Sequence, residues 1–128
     1  MNWSHTVKTY YRPNRRHKYG AKKTTVNGII FDSKKEAKRY GELLLLEKAG
    51  DIKDLELQPV FILQKGFTHK GKLVREIKYI ADFKYYDRRA EAWVVEDVKG
   101  FRPAEYMIKK KIFLKLYGHI YEFNEVSV

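Results

Sequence analysis

The sequence has no cysteine. That excludes a disulfide scaffold, thiol catalysis and any Cys-ligated zinc or iron–sulfur centre. Only three prolines are present, and no Gly-rich phosphate loop, serine nucleophile elbow or His-Glu-x-x-His signature occurs. The longest runs of large apolar residues, Leu43–Leu46 among them, are four residues and fall far short of the roughly 18 residues of a membrane span. No acid occurs before Asp32. The first residues are basic and polar without an apolar segment, so no signal peptide is expected, no membrane partner is expected, and the expected compartment is the cytoplasm.

The 128 residues that remain to be explained carry a net charge of +11, and 44% of them are hydrophobic. This length supports one domain with a real core. The charge excess points to a polyanion, with nucleic acid ahead of an anionic membrane surface. Residues 1–31 hold seven bases: Lys8, Arg12, Arg15, Arg16, Lys18, Lys22 and Lys23. Trp3, Tyr10, Tyr11 and Tyr19 lie among them. Basic residues interleaved with aromatics suit phosphate contact and base stacking; the alternative is a solvated tail. The expected division is a basic arm over 1–28 and a folded domain over 29–128.

Periodicity predicts a mixed α/β domain. Thr24–Phe31 reads as a hairpin turning at Asn27-Gly28. Ser33 opens a helix that runs to Ala49 and closes at Gly50, with Ala37, Tyr40, Leu43, Leu44 and Leu46 as its apolar stripe. Leu55–Leu63 reads as a strand interrupted at Gln58-Pro59. Gln64–Lys72 reads as a polar loop, Leu73–Tyr86 as a long strand, and Glu91–Lys99 as its return. Pro103 starts a second helix ending at Gly118, with Ile108, Ile112 and Leu116 expected on the sheet. His119–Val126 is a last strand.

Two acids and a lysine carry the chemical expectation. Asp97 and Lys99 are two apart on a strand and share a face. A two-residue turn at Arg88-Arg89 would place Asp82 opposite Val95, diagonal to Asp97. A three-residue loop would instead bring Glu96 beside Asp82. Carboxylates held among Ile80, Val94, Val95 and Val98 are costly unless paired, and a divalent cation with hard oxygen ligands resolves that cost. The simpler alternative is a surface salt bridge. Glu36 falls inside the apolar arc of the first helix and faces the sheet, yet Ser33-Lys34-Lys35-Glu36 is also a capping box, so ligand and cap both stand. The four histidines show no ligand spacing.

The ordered set Glu36, Gln58-Pro59, Tyr79-Ile80-Ala81-Asp82-Phe83 and Glu96-Asp97-Val98-Lys99-Gly100 resembles the PD-(D/E)xK, or restriction-endonuclease-like, nuclease superfamily. It is similar to small phage-encoded proteins of uncharacterised function, to the endonuclease subunit of cut-and-paste transposases and to archaeal Holliday-junction resolvases. The resemblance spans roughly residues 29–124. Ala81 stands where the motif has proline, and Asp97 where glutamate is commoner.

The resemblance implies an αβββαβ core, a mixed sheet flanked by helices. It implies Mg²⁺ or Mn²⁺ held by Asp82, Asp97, Glu36 and the Val98 carbonyl, with Lys99 as catalytic lysine and Gln58 nearby. The implied activity is metal-dependent DNA endonuclease of phage or mobile-element type, serving recombination, repair or DNA processing. The host cytoplasm is then its setting. By its charge, the arm with Arg12, Arg15, Arg16, Lys18, Lys22 and Lys23 would clamp duplex or branched DNA, and on the second helix one or two of Lys109, Lys110 and Lys111 would line the DNA track, with simple solvation as the alternative for each. A homodimer is compatible with two-strand cutting. The rivals are a nuclease-like module that binds nucleic acid without cutting, and a structural part of a larger phage assembly.

Overall fold

The computed structural model describes residues 23–31 and 33–127. Strands β1 (Thr24–Val26) and β2 (Ile29–Phe31) form the expected hairpin. Its turn residues Asn27 and Gly28 both take positive φ, 53° and 76°, the geometry this residue pair favours. Ile29 and Phe31 are buried against the first helix, so the hairpin belongs to the folded body. The boundary expected at residue 28 therefore falls inside its turn.

Helix α1 (Lys34–Ala49) begins and ends where its caps require. Ser33 Oγ accepts the Glu36 amide at 3.1 Å, a bond worth about 1 kcal/mol. Gly50 closes the helix in the left-handed region at φ 86°. Ala37, Tyr40 and Leu43 are buried on the sheet, and Leu44 and Leu46 pack at the margin.

The expected strand Leu55–Leu63 is two strands, β3 (Ile52–Leu57) and β4 (Val60–Gln64). Gln58 takes φ 47° and Pro59 cannot donate to a ladder, so the strand breaks there. The long strand expected after it breaks too. It is divided into β6 (Lys72–Val74), β7 (Ile77–Ile80) and β8 (Phe83–Asp87). The two breaks face each other. The Gln58 amide donates to the Asp82 carbonyl at 2.9 Å, and the Ala81 amide to the Pro59 carbonyl at 3.1 Å. The supposed polar loop contains β5 (Phe67–His69), which hairpins onto β6.

Strand β9 (Ala92–Lys99) returns along β8. The turn is not the expected Arg88-Arg89 pair, because Asp87 pairs with Ala92 and four residues intervene. Asp87 Oδ1 accepts the amides of Arg89 and Ala90 at 2.9 and 3.1 Å, and this side-chain cap sets the longer turn. Helix α2 (Ala104–Tyr117) then crosses over to β10 (Tyr121–Ser127), which lies parallel to β9. The central sheet has the order β10-β9-β8-β3 and is mixed.

One helix covers each side of the sheet. Val94 and Val98 join the cluster around α1, whereas Val95 joins Tyr106 and Phe113 of α2. Helix α2 does not present the expected face. Ile108 is 60% and Leu116 42% exposed, and only Ile112 of that stripe packs inward. Tyr106, Phe113 and Tyr117 turn to the sheet instead. Phe113 meets Phe61 edge-on with centroids 4.9 Å apart and stacks on Tyr117 at 5.4 Å. Aromatic rings bury more area than the aliphatic side chains they displace. Among the described residues, no helix is long and apolar enough to cross a membrane.

Candidate functional site

The paired breaks place Asp82 in neither β7 nor β8. Its amide donates to the Glu96 carbonyl at 3.0 Å, although Glu96 is already the partner of Phe83. Two residues of one strand thus address one residue of the next, as in a bulge, and a bulge re-aims a side chain. The Asp82 carboxylate turns along the sheet, where its Oδ2 accepts the Val98 amide at 2.7 Å. The expected register, Asp82 opposite Val95, is overturned because the turn is longer by two residues. A shift of two preserves the alternation, and the bulge brings Asp82 to the level of Asp97 and Val98. In a strand the N–H and C=O of one residue address the same neighbour, so the Val98 carbonyl also lies on the Asp82 side.

Asp97 is 1% exposed. Tyr79 donates its hydroxyl to Asp97 Oδ2. The Lys99 ammonium stands 3.0 Å from Oδ1 and is the charged partner of that buried oxygen. Lys99 also lies over the Tyr106 ring, 4.4 Å from its centroid.

The carboxyl groups perturb one another. Burial pushes Asp82 well above the usual carboxylate range, and the charges of Glu36 and Asp97 push it further, against the Val98 amide and Lys99. Burial also raises Asp97, offset by Lys99 and by the Tyr79 hydroxyl. Buried Tyr79 is raised in turn, with Asp97 adding to the effect. Glu36 is capped by Ser33 through its backbone amide, and its charge adds to the rise at Asp82. Gln58 adjoins through its backbone bond to Asp82.

The adjacent acid Glu96 belongs elsewhere. It faces α1, fully buried, where Arg39 binds it through Nε at 2.8 Å and Nη2 at 2.6 Å. The Tyr85 hydroxyl and the Asn124 amide, 3.1 Å away, complete its partners. Two neighbouring acids on a strand must face opposite sides. That rule was legible in Glu96-Asp97; Arg39 as the partner was not.

Of the expected nucleic-acid contacts, Arg12, Arg15, Arg16, Lys18 and Lys22 lie outside the described residues. Lys23 is exposed at the start of β1. Lys110 is engaged internally, 3.3 Å from Glu125 and over the Phe123 ring. Glu125 also accepts Arg102 at 2.8 Å and the Tyr106 hydroxyl. These donors hold its carboxyl down at about 2. Lys109 pairs with Glu105 along the helix at 3.6 Å.

A divalent ion can be tested against this donor set. Asp82 at the strand break and Asp97 on β9 stand close enough to interact, and hard oxygen ligands suit Mg²⁺ or Mn²⁺. Among the described residues, no three His, Asp or Glu side chains are gathered closely enough to hold a metal unaided. Magnesium is commonly held by one or two carboxylates with water and substrate phosphate completing the shell, so the pair fits it.

Fold and site together define a mixed α/β domain with two adjacent carboxylates beside a lysine. The chain belongs to the family described as "Protein of unknown function (DUF1064)", which matches residues 16–125. No curated protein and no solved structure matches it.

Proposed function

We propose that this chain is a metal-dependent deoxyribonuclease with a restriction-endonuclease-like αβββαβ core, of the PD-(D/E)xK type. The observation that carries the reading is the meeting of Asp82 and Asp97 at the strand break, with the Lys99 ammonium 3.0 Å from Asp97. Asp82 and Asp97 would hold the ion, with Glu36 and the Val98 carbonyl at hand. When bound, Mg²⁺ polarises a phosphodiester and lowers the pKa of a coordinated water. Tyr79 orients Asp97 through Oδ2, and Val98 orients Asp82. Lys99 offers a fixed positive charge to the phosphate as negative charge develops. Its place over Tyr106 restrains the long side chain without neutralising it.

The test is incubation with supercoiled plasmid and Mg²⁺ or Mn²⁺. Nicking that EDTA stops, and that Asp82→Ala and Lys99→Ala remove while their circular dichroism is unchanged, supports the reading. Equal cleavage by the variants contradicts it. A second reading, a nuclease-like fold that binds without cutting, is favoured by the Lys99 ammonium being engaged by Asp97 at 3.0 Å. It predicts salt-sensitive binding with no metal-stimulated hydrolysis.

A further inference from the structure

The surplus charge of the chain is confined to two segments. Residues 1–31 hold seven bases and no acid. Residues 65–78 hold five bases, Lys65, Lys70, Lys72, Arg75 and Lys78, against the single acid Glu76. The rest of the chain contains fifteen bases and fifteen acids and is neutral. The whole of the +11 therefore lies in the amino-terminal stretch and in residues 65–78.

The second segment has a defined shape. β4 and β7 pair as far as Gln64 and Ile77, and β5 and β6 continue the ribbon to a turn at Lys70-Gly71. Both turn residues take positive φ, 49° and 77°, which matches the twist of a tight hairpin. Gly66 sits close under the opposite strand: a Cβ there would lie 3.2 Å from the Val74 carbonyl oxygen. Residues 64–73 and 75–78 are exposed throughout. None of the five bases has an acidic partner among the described residues, whereas Arg39, Lys84, Arg102 and Lys110 of the body are all paired.

The five bases guard the short ribbon against pairing with other strands and leave it with a positive surface that suits a polyanion. Leu73 and Phe67 stand 73% and 47% exposed on the same ribbon. Two strands about 4.8 Å apart, extending about 20 Å from Gln64 to the tip, suit a groove. The major groove of B-form DNA is about 12 Å wide and admits a two-stranded ribbon. From the base of the ribbon at Ile77 the chain runs along β7 to Ile80 and on to Asp82, five residues or about 16 Å away, so ribbon and carboxylates lie along one strand line.

We infer that the β5–β6 ribbon is a duplex-DNA-binding element that enters a groove beside the phosphodiester presented to Asp82 and Asp97. The placement beside the carboxylates rests on the proposed nuclease reading; the binding itself does not. Lys70, Lys72 and Arg75 would neutralise phosphates at the groove edges, and Leu73 would meet sugar or base edges.

The test compares two triple variants with equal charge loss: Lys70→Ala/Lys72→Ala/Arg75→Ala in the ribbon, and Lys48→Ala/Arg88→Ala/Lys115→Ala in exposed positions of the body. Binding of a fluorescent duplex is read by polarisation in EDTA over a series of salt concentrations. The ribbon variant should bind at least about tenfold more weakly, with its salt slope reduced by about two to three, while the body variant stays within about twofold. Equal weakening by both variants, or an unchanged ribbon variant, overturns the inference. The same proteins are also co-sedimented with phosphatidylserine vesicles, and weakening confined to the vesicles and absent on DNA overturns the inference. Because EDTA removes hydrolysis, absence of metal-dependent cleavage by the wild type would defeat the nuclease reading while leaving this result standing.

Discussion

Asp82 Oδ2 accepts the Val98 amide at 2.7 Å, so a carboxylate freed by one broken strand takes the place of a backbone partner on the next. That bond explains how an acid in an irregular segment is held still beside Asp97. It also specifies which property each substitution should change.

Asp82→Asn keeps an oxygen for the Val98 amide and removes a charge that Glu36 and Asp97 oppose. The variant should be more stable, by about 1 kcal/mol, and melt several degrees higher. Metal-dependent cleavage should be lost at the same time. A thermal melt and a plasmid assay on one preparation check both, and a lower melting point would contradict the electrostatic account.

The raised carboxyls fix the sign of a pH effect. Both bind their proton more tightly folded than unfolded, so their contribution to stability is greatest below the ordinary value of about 3.9 and is lost as pH rises through the folded values. A divalent cation binds the ionised pair. The rise in melting temperature on adding Mg²⁺ should therefore be larger near about pH 8 than near about pH 5. Glu125 acts in the opposite sense. Held at about 2, it stabilises above its unfolded value of 4.5 and loses that contribution as pH falls through the folded one. Glu125→Gln should flatten the acid limb of the stability profile.

Lys99→Ala should lower cleavage by about 10²–10³-fold if the ammonium stabilises developing phosphate charge. Binding of duplex in EDTA should change little, since Lys99 is 26% exposed and already paired with Asp97. Parallel loss of binding and cleavage would reassign the lysine to simple phosphate contact.

Glu96 predicts a stability effect without a catalytic one. Glu96→Ala takes from Arg39 its buried carboxylate; Arg39 is 22% exposed and keeps Glu42 at 3.0 Å, so the loss should fall at the low end for a broken buried pair, about 3 kcal/mol. Arg39→Met/Glu96→Leu, which removes both charges, should recover much of that loss. Urea unfolding of the three proteins checks the order.

The parts of the fold legible in the sequence are those set by local chemistry. Ser33 and Gly50 bound α1, and Asn27-Gly28 turns the first hairpin, because caps and turns depend on few neighbours. The second helix and the last strand followed from helical spacing and alternation. What was not legible depended on pairing across the sheet. The bulge at Asp82 arises from two strand breaks facing each other, and neither break alone announces it. The longer turn was signalled by Asp87, whose side chain favours capping its own turn. On α2 the aromatic residues and the Glu125 network outweighed the aliphatic stripe through Ile108 and Leu116. Asp82, Asp97 and Lys99 were legible as a set, yet the Tyr79 hydroxyl that holds Asp97 was visible only as part of a motif.

The central claim, that Asp82 and Asp97 together form a divalent-cation site, is tested most directly by titrating the protein with Mn²⁺ and reading free ion by electron paramagnetic resonance near neutral pH. The wild type should take up Mn²⁺, more tightly once duplex DNA is present, and Asp82→Asn/Asp97→Asn should lose that uptake while remaining folded. Equal uptake by the two proteins, or none by the wild type with DNA present, would contradict the account.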